Sequence, residues 1–143
     1  MAKLVVTLTL MACVISATPA AAQKCLHDAD ETSDQAVRRR EALTAARMLG
    51  TLQAGGAGSR NGQYLRADEL AAAPSAQTMK SSTNETIRRI SLDPLGDILP
   101  GWKLTLDVSR LGYWFMIKDR TDPCGFAFVS TQEGLIYTAQ PLR

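Results

Sequence analysis

One histidine, His27, stands in the whole 143-residue chain. That scarcity removes most acid–base relays, since a Ser/His or Cys/His pair would depend on a ring near the N-terminus. Cysteine is nearly as sparse, with only Cys13, Cys25 and Cys124, and distant thiols with one imidazole fall short of a tetrahedral metal set. An excess of one charge is missing too: 16 Lys and Arg face 14 Asp and Glu, for a net charge of +2. The only dense basic cluster, Arg38-Arg39-Arg40, fans around most of a helix and reads as solvated surface. No nucleic-acid groove is expected, because that function needs a clustered basic excess. The longest apolar run is shorter than the roughly 20 residues that cross a bilayer, so no stable membrane span is expected after signal cleavage. No pattern implies a cofactor.

What is present begins with an export signal. Lys3, an apolar run from Leu4 to Ala17 and the small-residue pattern Ala20-x-Ala22 predict cleavage between Ala22 and Gln23. Residues 1–22 are then a cleavable secretory signal and residues 23–143 a single α+β domain, periplasmic or secreted from a bacterium. A lipoprotein route through Leu10-Met11-Ala12-Cys13 is disfavoured, because Val14-Ile15-Ser16-Ala17 continues the apolar run where that signal turns polar. Cleavage removes Cys13 and leaves Cys25 and Cys124 in a compartment that permits oxidation. A single disulfide is the simplest pairing, and it would pin the N-terminal segment to the C-terminal sheet.

Helical signals follow. Thr32 and Gln35 have capping-box spacing, and Asp34 falls in the first turn, where the helix dipole favours negative charge. Ala42, Ala45, Ala46, Leu49 and Leu52 then recur with helical period and form one apolar stripe. Gly55-Gly56-Ala57-Gly58-Ser59 is expected to end the helix. A short helix is expected from Ala67 to Ala73 and a loop from Pro74 to Asn84, while Ile87 to Leu92 is ambiguous between strand and helical turn.

The last third changes period. Leu104, Leu106 and Val108 alternate with polar neighbours, and further strands are expected at Tyr113 to Lys118, Phe126 to Ser130 and Leu135 to Ala139. Short connections make this a four-stranded antiparallel meander, and the amphipathic N-terminal helix is the natural cover for its apolar face.

Asp119, Asp122 and Glu133 could offer oxygens to calcium, but about six to eight ligands are needed and no recognised loop pattern occurs. Asp107 with Asp119 as a carboxylate dyad has nothing to fix its separation. Alternation sets Tyr113, Phe115 and Ile117 on one strand face and Trp114 and Met116 on the other. Core packing accounts for one set, and Trp102, Trp114 and Met116 are the candidate contact surface.

The order of Arg47-Met48-Leu49-Gly50-Thr51-Leu52, Gly62-Gln63-Tyr64, the helix around Leu70, Gly112-Tyr113-Trp114-Phe115 and Gly134-Leu135-Ile136-Tyr137 resembles the globular part of type IV pilin-like and pseudopilin-like proteins. The resemblance implies a helix packed on an antiparallel sheet, no enzymatic activity, and a role in envelope assemblies. The prepilin leader is replaced here by an ordinary export signal. The expected function is therefore non-catalytic contact with unidentified envelope proteins. An alternative is a periplasmic binding or sensor domain holding a small apolar ligand between helix and sheet.

Overall fold

Thr32 and Gln35 open the first helix as a reciprocal cap. The Thr32 hydroxyl accepts from the Gln35 amide at 3.3 Å, and the Thr32 amide donates to Gln35 Oε1 at 2.8 Å. In this computed structural model, which describes residues 24–140, the helix is α1, Ser33–Ser59. The predicted signal segment and Cys13 lie outside the described residues. The stripe Ala42, Ala45, Ala46, Leu49 and Leu52 is buried along α1.

The glycine run does not stop α1, which continues through it to Ser59. Buried Gln53 holds the returning chain with both ends of its amide: Nε2 donates to the Leu65 carbonyl at 2.7 Å, and Oε1 accepts from the Leu65 amide at 2.9 Å. Leu65 then lies so close that a Cβ on Gly56 would fall 2.6 Å from its Cδ1. Here glycine serves close approach rather than a turn.

Two short helices follow, α2 (Ala67–Ala72) and α3 (Pro74–Lys80). The second replaces the expected loop. Proline costs nothing at a first helical position, where its missing amide would have had no partner, and Ala76 and Met79 supply a buried side. The ambiguous segment becomes α4 (Glu85–Arg89), capped by Asn84, whose side chain accepts from the Ile87 amide at 3.2 Å.

The sheet comprises β1 (Trp102–Val108), β2 (Tyr113–Asp119), β3 (Ala127–Thr131) and β4 (Ile136–Ala139), all antiparallel in the order β1-β2-β3-β4. The architecture is α+β, a helix followed by a four-stranded antiparallel sheet. The β3–β4 turn closes through the Gly134 amide on the Thr131 carbonyl at 3.0 Å, with Gly134 at φ 77. One hydrophobic core contains Ala42, Ala45 and Leu49 of α1, Leu70, Met79, and Trp102, Phe115, Ile117 and Phe128 of the sheet.

Candidate functional site

The segment ahead of α1 is a strap tied to the loop between β2 and β3. Cys25 and Cys124 are disulfide-bonded across 99 residues, with Cα atoms 5.2 Å apart. Asp122 reinforces the tie: Oδ1 accepts from the Leu26 amide at 3.1 Å and the Cys124 amide at 2.9 Å, and Oδ2 from the Phe126 amide at 3.2 Å. Three backbone amides thus occupy the Asp122 carboxylate, a candidate calcium ligand by sequence.

His27 is the centre of the strap. Its side chain is fully buried, in ring contact with Phe126 at 4.7 Å and Trp102 at 5.6 Å between centroids. Nε2 lies 2.8 Å from Asp119 Oδ2 and Nδ1 lies 2.7 Å from Glu31 Oε1. Both ring nitrogens therefore face carboxylate oxygens, one from the strap and one from the end of β2. Two arginines close the cluster. Arg39 forks onto both Glu31 oxygens at 2.9–3.1 Å, and Arg38 Nη2 approaches Asp119 Oδ1 at 3.4 Å.

These partners set the acidities. Burial pushes the Asp119 carboxyl up, but the Thr121 hydroxyl, His27, the Thr121 amide and Arg38 together hold it below its ordinary 3.8. For Glu31, the Arg39 hydrogen bonds outweigh burial and, with His27, keep it below its ordinary 4.5. With the imidazole fully buried and both its nitrogens on carboxylates, the arrangement ties the strap to the end of β2, while Arg38 and Arg39 stay partly exposed at its rim.

The other candidate carboxylates are dispersed. Asp107 lies across from Trp114 and Asp119 across from Trp102, at opposite ends of the β1–β2 ladder, so the dyad does not form. Glu133 is exposed in the β3–β4 turn. Among the described residues no group of three or more His, Cys, Asp or Glu is placed to hold a metal ion.

The candidate contact surface divides. Trp102 is 1% exposed and stacks on Phe128, so it belongs to the core and is not a contact residue. The reason is its register: two positions before Leu104, it shares the inner face of β1. Trp114 is 39% exposed and Met116 half-buried on the opposite face. Pairing across the sheet aligns three outer rows: Lys103, Lys118, Ala127 and Ala139; Thr105, Met116, Val129 and Tyr137; and Asp107, Trp114 and Thr131. The middle row and Trp114 make a mostly apolar patch, with Tyr137 also exposed, at 51%.

A groove of about 610 Å³ lies elsewhere, between the last turns of α1 and α2–α3. Leu52, Gly56, Leu65, Ala72 and Pro74 line it, with Arg60 and Glu69 paired at 2.8 Å on its wall. Leu49 and the inner sheet residues Trp102, Phe115 and Phe128 belong to one hydrophobic core.

Sequence reasoning missed Glu31, Arg38, Arg39, Thr121 and Gln53. The i,i+4 spacing of His27 and Glu31 and the Asp119-x-Thr121 spacing were local signals, whereas the contacts that bring His27 and Arg38 to Asp119 span 92 and 81 residues. No family model, curated protein or solved structure matches the chain.

Proposed function

We propose that this chain is an exported, non-catalytic contact domain of the bacterial envelope, released after Ala22, with α1 covering one sheet face in pilin-like fashion. The observation that carries the reading is the outer sheet face, where Trp114, Met116, Val129 and Tyr137 sit together opposite the core. A soluble chain gains nothing by exposing aromatic surface unless something else covers it. The Cys25–Cys124 disulfide is compatible with an oxidising compartment outside the cytoplasm. Among the described residues no helix is long and apolar enough to cross a membrane.

A second reading is favoured by the groove against α1, whose volume is in the range of small-ligand sites. It would hold a small apolar ligand, making the chain a carrier or sensor. Site-specific photo-cross-linking in intact cells separates the two. A cross-linker at Met116 should yield a protein adduct, and one at Thr51, on the groove wall, should not. Adducts from Thr51 with none from Met116 would overturn the contact reading.

A further inference from the structure

We propose that the partner taken by the outer sheet face is a second copy of this chain, bound face to face about a two-fold axis along the Thr105–Met116–Val129–Tyr137 row. The inference rests on the contact reading above and adds the identity of the partner. Its basis is the charge order of the three rows. Lys103 and Lys118 occupy one end of the face and Asp107 the other, with the apolar row between.

A two-fold along the middle row reverses strand direction and keeps strand order. It therefore lays Lys103 over Asp107 of the second copy and Lys118 over the face of that copy's Trp114, an ion pair and a cation–π contact, each made twice. The middle row meets itself, placing Met116 on Met116 and Tyr137 on Tyr137, which buries the exposed apolar surface of both copies. A two-fold along the strands instead keeps strand direction and reverses strand order, laying Lys103 over Ala139 and Lys118 over Ala127 of the second copy, where neither lysine meets an acceptor. Of the two arrangements the first alone pairs the charges of the face, with the aligned geometry of packed antiparallel sheets about 10 Å apart. The Lys103 ammonium already donates to the Leu95 and Gly96 carbonyls at 2.9 and 3.0 Å, which fixes its charge at that end and leaves one proton to donate.

Axial residues give the test its specificity, because a residue on the axis meets its own copy. Sedimentation equilibrium of the exported, disulfide-bonded protein should show a monomer–dimer equilibrium. Met116→Lys and Met116→Glu should each raise the dissociation constant about tenfold or more, and their equimolar mixture should restore a heterodimer. Tyr137→Lys and Tyr137→Glu, on the same row, repeat the experiment should the Met116 variants fail to fold. A wild-type protein monomeric at all concentrations overturns the inference, as does a dimer indifferent to these variants, or a mixture that remains monomeric. Monomeric protein that still gives heterologous adducts from Met116 leaves the contact reading standing with a different partner. Loss of both results removes the contact reading as well.

Discussion

His27 Nε2 lies 2.8 Å from Asp119 Oδ2, across 92 residues and with both side chains fully buried. This bond, with the disulfide, joins the strap ahead of α1 to the end of β2. Truncating one member of such a pair strands the other charge away from water. His27→Ala should therefore cost about 3–5 kcal/mol in equilibrium denaturation, far more than the loss of one exposed contact. A cost under about 1 kcal/mol would show that the cluster is not the clamp described.

The same cluster predicts acid sensitivity. Asp119 and Glu31 both titrate below their ordinary values of 3.8 and 4.5 in the folded chain, so near those values the unfolded chain binds more protons. Stability from this source is fully present above the unfolded values and is lost as pH falls through the lower, folded ones. Denaturation midpoints should be flat with respect to these two groups from neutral pH down to about pH 5 and fall steeply below about pH 4. Asp119→Asn should blunt that fall.

The disulfide closes a loop of 99 residues. In the chain-entropy account a loop near this size contributes on the order of 4 kcal/mol by restricting the unfolded state. Cys124→Ala should lower the thermal midpoint markedly, and unfolded, unreduced wild-type protein should show neither Cys25 nor Cys124 as a free thiol.

Features set by near neighbours were legible in the sequence. The Thr32–Gln35 cap, the Ala42 to Leu52 stripe and the alternation of the strands depend on residues a few positions apart, and the elements formed there with ends shifted by a residue or two. Features decided by distant partners were not legible. Helix α1 runs through its glycines because Gln53 and Gly56 meet Leu65, and α3 forms where a polar loop was expected because Ala76 and Met79 find the core. Of the candidate residues, Trp114 and Met116 were placed on one face by parity alone, whereas the pairing of His27 with Asp119 spans most of the chain.

The explanation for the long helix carries its own pair of substitutions. Gln53→Leu leaves the buried Leu65 amide and carbonyl without partners and should cost about 2 kcal/mol or more. Gly55→Ala meets nothing within 4 Å and should stabilise α1 by about 0.5–1 kcal/mol through helix propensity. Circular dichroism with denaturant titration measures both.

The central claim is that the outer sheet face serves contact and the inner face holds the fold, and the two tryptophans test it most directly. Thermal unfolding and partner capture should be measured together on Trp114→Ala and Trp102→Ala. Trp114 is 39% exposed, so its truncation should abolish capture, whether of a second copy or another envelope protein, while costing about 1 kcal/mol or less. Trp102 is 1% exposed, and its truncation should cost about 3–5 kcal/mol. Folded Trp114→Ala protein that captures its partner as well as wild type does would contradict the account.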